Sequence, residues 1–166
     1  TMKHFIAAAV LLLSAAPVPA SAQNFELEKL FPQVQCMALN IYYEARGSNL
    51  ADQAAVADVV MNRVNDSRYP DTVCSVVKQG LKDSNGNMRR NKCQFSWYCD
   101  GKHDRPQDQD RWAEAQLIAW NMVEDNKYRG ITEGATHYHA DYVEPRWAST
   151  LQLVGRIGAH IFYRWE

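Results

Sequence analysis

The chain has 166 residues, of which 46% are hydrophobic and 11% aromatic, and 18 basic against 19 acidic residues give a net charge of −1. This composition suits one globular domain with a true core. It leaves no basic excess for a nucleic-acid-binding surface, and no acidic tail is present.

Residues 1–22 read as a secretory signal peptide. Lys3 gives a short basic start, Phe5 to Leu13 is an apolar run, and Ala20-Ser21-Ala22 is a small-x-small cleavage site. The apolar run is too short for an ordinary membrane span. The expectation is a single mature domain over 23–166, exported to the periplasm or cell wall, with no stable membrane insertion after cleavage. Cys36, Cys74, Cys93 and Cys99 form an even set, which in an exported chain favours disulfides. Three full pairings are possible, and Cys36–Cys74 with Cys93–Cys99 is preferred. A four-cysteine zinc site is the rival, but no close Cys-x-x-Cys pair is present.

In chain order, Asn24 to Pro32 reads as a short connecting segment. A helix then carries Val34, Met37, Ala38, Ile41 and Ala45 on one face and stops at Gly47. Glu44 falls at the edge of that apolar face, in the last turn. Burial and the negative end of the helix dipole both raise the pKa of such a carboxyl, which suits a general acid. The same residues also read as a solvated glutamate paired with Arg46. Leu50 to Val64 is a helix apolar nearly all round, so it is buried on several sides. Asn62 and Arg63 interrupt its surface, as exposed residues or, for Asn62, as part of a cleft shared with Glu44.

Tyr69-Pro70-Asp71 is a turn before a short helix face of Val73, Val76 and Val77. Lys82 to Lys92 reads as a hairpin tip. Cys93 to Cys99 reads as an extended aromatic segment, either core or a platform for sugar rings. Gln107 to Lys127 is a packing helix with Trp112, Gln116, Ala119, Trp120 and Val123 on one face. His137 to Ala140 is strand-like, and Leu151 to Tyr163 is a closing hairpin. The expected class is α+β, mostly helical with a small β portion.

Three chemistries compete. Glu44 as general acid is the first. The second is zinc held by His137 and His139, with His160 or His103 added, which would suggest a metallopeptidase or amidase. Two histidines two apart on a strand share a side, yet no His-Glu-x-x-His helix appears. The third is Cys–His nucleophilic catalysis, which disulfide-bonded cysteines cannot support.

An ordered succession of segments decides among these. Glu44-Ala45-Arg46-Gly47 is followed by Ala55 to Val64, Tyr69 to Val77, Cys93-Gln94-Phe95-Ser96, Ala135 to His139, Pro145-Arg146-Trp147-Ala148 and Ile157 to Tyr163. This succession resembles the SleB-type cell wall hydrolase family, from about Gln35 to Tyr163. The resemblance implies a lysozyme-like fold acting on peptidoglycan glycan strands. It implies Glu44 as the catalytic acid, with Asn62, Gln94, Phe95, Ser96 and Tyr138 as cleft residues. No metal or other cofactor is expected, and no protein partner is assigned. A second catalytic carboxylate does not stand out among Asp58, Asp100, Asp104 and Asp141. A lytic transglycosylase needs only one carboxylate, so that reaction is favoured over hydrolysis.

Overall fold

The computed structural model describes residues 20–166, with side chains described from Phe31 onward. The expected signal peptide lies, up to position 19, outside the described residues. Helix α1 spans Ala20–Ala45 and includes Pro32. The connecting segment expected over 24–32 is therefore helical. Glu26-Leu27-Glu28-Lys29-Leu30 are strong helix formers, and proline costs the helix one hydrogen bond without ending it here. Among the described residues, no helix is long and apolar enough to cross a membrane.

Helix α2 spans Leu50–Val64, as its apolar pattern predicts. The Asn49 side chain caps it by accepting from the Asp52 N–H at 3.0 Å. Every residue from Asp52 to Val60 is buried, because two separate cores flank this helix. One face joins Met37, Ile41, Val76, Ile118 and Met122 through Ala57 and Val60. The other joins Ala135 and Phe162 through Ala55 and Val59. Alanines at the contact let the neighbouring backbones approach closely.

Helix α3 spans Val73–Val77 and is capped by Thr72. Strands β1 (Gly80–Lys82) and β2 (Met88–Cys93) pair antiparallel, confirming a hairpin across 82–92. A 3₁₀ turn over Ser96–Cys99 follows, in place of the extended segment expected there. The Cys93–Cys99 disulfide closes a short loop, and Trp97 turns inward to donate to the Asn40 side chain at 3.1 Å. Phe95 and Trp97 are core residues rather than an open aromatic platform.

Helix α4 spans Gln109–Val123, shorter at both ends than its sequence pattern suggests. Asp108 caps its start, and the Tyr42 hydroxyl accepts from the Gln107 and Asp108 N–H groups at 3.0 Å each. Its buried face is Ala115, Ile118, Ala119 and Met122. The expected face is thus rotated by about one position: Trp120 is exposed, because the small Ala115 and Ala119 allow closer packing on α1. Strands β3 (His137–Ala140), β4 (Gln152–Ile157) and β5 (His160–Arg164) form an antiparallel sheet in the order β3-β5-β4. The three-stranded sheet follows all four α-helices in the chain, and the class is α+β.

Both preferred disulfides form, Cys36–Cys74 across 38 residues and Cys93–Cys99 across 6. Loop-closure entropy assigns roughly 4 kcal/mol to the long loop and roughly 2 kcal/mol to the short one. Replacing Cys36 and Cys74 with alanine should therefore lower the thermal midpoint more than replacing Cys93 and Cys99. Circular dichroism melts of the two double variants check the order.

Candidate active site

Glu44 sits one residue before the end of α1, half-buried. Its position in the last turn aims the carboxyl past the apolar face toward β3. Tyr138 on β3 donates its hydroxyl to Glu44 Oε2 at 3.1 Å. Burial raises the Glu44 carboxyl above its usual value, while Tyr138, His160 and Arg63 pull the other way and lose. Burial also pushes the Tyr138 phenol well above its usual range, with the Glu44 charge adding to it. The phenol is thus a permanent donor to Glu44. Arg46 does not pair with Glu44; its guanidinium lies over the Tyr42 ring, 4.9 Å from the centroid.

Arg63 is the residue whose role sequence reasoning missed. It is 5% exposed, and its Nε donates to the Thr136 carbonyl at 2.7 Å. The guanidinium lies 5.3 Å from the Phe95 ring centroid and 5.4 Å from that of Tyr69, a cation–π setting that tolerates a buried charge. Desolvation lowers its pKa, but an arginine remains charged. An arginine interrupting a helix apolar nearly all round was the signal available for it.

Asp52 and His160 form the second missed element. Asp52 Oδ1 meets His160 Nδ1 at 2.8 Å, and Asp52 Oδ2 accepts from the Ala159 N–H at 3.0 Å. Burial pushes the Asp52 carboxyl up, but hydrogen bonds from His160, Ser48 and Ala159 outweigh it and hold it below its usual value. Gly158, at φ +59°, lies so close that a Cβ there would meet Asp52 Cβ at 2.5 Å. The turn needs glycine for both reasons. The His160 ring stands edge-on to Tyr138, with centroids 5.1 Å apart.

The other sequence-predicted residues divide. Phe95 is buried and reaches the site through Arg63. Asn62 donates to Thr132 Oγ1 at 3.0 Å and to the Ala135 carbonyl at 2.9 Å, so it braces the segment leading into β3. Gln94 and Ser96 are exposed on either side of Phe95.

His137 and His139 lie on the sheet face opposite Tyr138, packed with Trp147. His139 uses both ring nitrogens, on the Ala140 carbonyl and the Tyr163 hydroxyl. Burial and the charges of Arg63 and Arg68 lower His137 to about 4. Among the described residues, no three His, Cys, Asp or Glu side chains come together as metal ligands.

The carboxylates considered as partners of Glu44 are engaged elsewhere. Asp58 is fully buried and accepts from Arg129, Gly130 and Thr132. Asp141 pairs with Arg156, and Asp100 with Lys102 at 3.8 Å. Burial and the Asp100 charge raise the Asp104 carboxyl, and both carboxylates bear on Tyr43. The charged groups bearing on Glu44 are His160 and Arg63.

Residues 47–163 match the family model described as cell wall hydrolase. The spore cortex-lytic enzymes of Halalkalibacterium halodurans, Oceanobacillus iheyensis and Bacillus subtilis are 32%, 30% and 27% identical to this chain over 131 residues. Each alignment covers 78% of this chain but only 34%, 40% and 36% of the relative, so the chain spans little more than a third of their length. The catalytic domain of the germination-specific lytic transglycosylase SleB from Bacillus anthracis superposes with a TM-score of 0.56 at 27% identity, covering 80% of this chain and 93% of that one. The Bacillus cereus SleB catalytic domain gives 0.55 at 28%, covering 80% and 89%. By the extent of the family match and the shared architecture, this chain belongs to the cell wall hydrolase family.

Proposed function

We propose that this protein cleaves peptidoglycan glycan strands between N-acetylmuramic acid and N-acetylglucosamine as a lytic transglycosylase, with Glu44 as its one catalytic carboxyl. The observation that carries the reading is the setting of Glu44. Its carboxyl is raised by burial and held by Tyr138, while Asp58, Asp141 and Asp100 are paired with other groups. Hydrolysis by direct displacement needs a second carboxylate to activate water, and a retaining hydrolase needs one as nucleophile. Family membership and the likeness to a lytic transglycosylase domain support the same conclusion.

The steps balance with Glu44 alone. Protonated Glu44 gives its proton to the glycosidic oxygen, and the bond from that oxygen to the muramyl anomeric carbon breaks. The muramyl 6-hydroxyl oxygen then bonds to the same carbon. Its proton passes to the Glu44 carboxylate, which restores the acid. No water is consumed, and the nucleophile is already held near the reacting carbon. Gln94 and Ser96, exposed on either side of the buried Phe95, supply polar contacts to the strand, while Tyr138 orients Glu44 and Asn62 and Phe95 support the site from behind. Export through the signal peptide over residues 1–22 would deliver the domain 23–166 to the wall, and the paired cysteines suit an oxidising compartment.

Glu44→Gln keeps the side-chain shape and should lower release of soluble fragments from purified peptidoglycan by at least about a hundredfold. Retained binding to the wall by this folded variant would separate catalysis from a glycan-binding role. Mass spectrometry of the wild-type products should show 1,6-anhydro-muramyl ends, one water lighter than hydrolytic ends and resistant to borohydride. Reducible muramyl ends labelled from heavy-oxygen water would make the protein a hydrolase.

The same variant has a stability signature. A carboxyl raised in the folded state contributes stability below its unfolded pKa, and that contribution is lost as pH rises through the folded value. Glu44→Gln avoids this loss while its amide oxygen still accepts from Tyr138. Its thermal midpoint should equal or exceed that of the wild type, with the gap widening as pH climbs above the usual carboxylate range. Melts over a pH series check this.

A further inference from the structure

Glu44 is not held by Tyr138 alone, because Tyr138 is itself held. Behind it stands the His160 ring, edge-on at 5.1 Å between centroids. Behind His160 stands Asp52, bonded to Nδ1 at 2.8 Å. A carboxylate can only accept, so Nδ1 carries the proton and the ring orientation is set. Asp52 is fully buried, and His160 is 8% exposed. Closure from solvent sets the pair apart from a second catalytic carboxylate and its partner.

The pair is built from distant parts of the chain. Asp52 lies in the first turn of α2, and His160 opens β5 just past the turn at Gly158. That turn carries no side chain where it meets Asp52, and the Ala159 N–H donates to the same carboxylate. So much polar hardware buried away from the substrate needs a purpose beyond packing.

We propose that Asp52 and His160 form a positioning pair for the catalytic acid: Asp52 fixes the His160 ring, and the ring holds Tyr138 with its hydroxyl on Glu44. This rests on the reading of Glu44 as the acid and base of one cycle. In that cycle the carboxyl must be protonated to start, yet must also carry charge after it donates. Burial alone favours only the first state. His160 and Tyr138 both favour the second, as does Arg63 from the other neighbouring segment. The titratable and charged groups facing His160 are Asp52 on α2, Tyr138 on β3 and Glu44 on α1.

His160→Phe keeps an aromatic edge against Tyr138 but removes the influence that lowers the Glu44 carboxyl. The test measures kcat and KM on solubilised peptidoglycan across a pH series, with thermal melts to verify folding. The alkaline limb of kcat, where the acid is lost, should move to higher pH. At the plateau kcat should fall by about tenfold with KM unchanged, since the loss is in the reacting state. Asp52→Asn, which retains an oxygen for the Ala159 N–H, should move the same limb by less.

Carbon-13 titration of Glu44 reads the device without turnover: its midpoint should rise in His160→Phe and shift in Asp52→Asn. A folded His160→Phe whose limb superposes on the wild type overturns the proposal. So does an unchanged Glu44 midpoint in Asp52→Asn, which covers the case in which His160→Phe does not fold. Failure of the glycosidase reading looks different: the wild type then releases no fragments, or Glu44→Gln matches it.

Discussion

Four polar residues of α2, Asp52, Asp58, Asn62 and Arg63, find their partners in the second half of the chain, and these ties organise it. A buried charge left unpaired costs several kcal/mol, about 3–5 when one member of a pair is removed. Asp52 binds Ala159 and His160; Asp58 binds Arg129, Gly130 and Thr132; Asn62 binds Thr132 and Ala135; Arg63 binds Thr136. Read along the helix, the four residues tie down the β4–β5 turn, the loop at 129–132 and the entry to β3. The apolar faces of α2 fill two cores, but apolar packing does not choose among similar arrangements. The polar ties do. They deliver Tyr138 to Glu44, which α1 brings from the other side.

The site follows from a competition that burial wins by a limited margin. A glutamate at a helix end in contact with water would be ionised and useless as an acid near neutral pH. A glutamate sealed in an apolar pocket would hold its proton and could not give it up. Glu44 lies between these limits. It is half-buried, it accepts a hydrogen bond from a phenol that does not ionise in the ordinary range, and His160 and Arg63 lie near without forming an ion pair with it. Charges held at this range adjust the carboxyl without pinning it in one protonation state. That balance suits a group asked to be acid and then base.

Much of this was legible before the structure. The continuous apolar character of 50–64 specified a central helix, and the edge position of Glu44 specified a carboxyl raised by burial. The hairpins at 82–92 and 151–163 followed from their turn residues. What stayed hidden has a common cause: it depends on contacts between residues about 60–110 positions apart. Arg63 and Asp52 read as an interruption and a helix-start residue, because their partners lie beyond any local window. His160 was weighed as a zinc ligand for the same reason. Local errors had local causes. Pro32 looked like a boundary although strong helix formers precede it, and the α4 face was misplaced because tryptophans draw attention that small alanines do not. In that helix Ala115 and Ala119 make the contact, and Trp120 is left in solvent.

The register of β3 is where these threads meet. Along a strand, successive side chains point to opposite faces, so a slip of one residue would exchange Tyr138 for a histidine at Glu44. His137 and His139 already occupy the opposite face with Trp147 and Tyr163, where an aromatic cluster fits them and would not fit a misplaced Tyr138. The backbone pairing of Tyr138 with Phe162 sets the match to β5, and His160, two residues earlier on β5, is tied to Asp52. On the other side, Arg63 grips the Thr136 carbonyl two residues ahead of Tyr138. The strand is therefore clamped from both neighbours within two residues of the hydroxyl that touches Glu44. The residues that look structural and the residue that looks catalytic answer to one requirement, which is that a single phenol arrive on a single carboxylate.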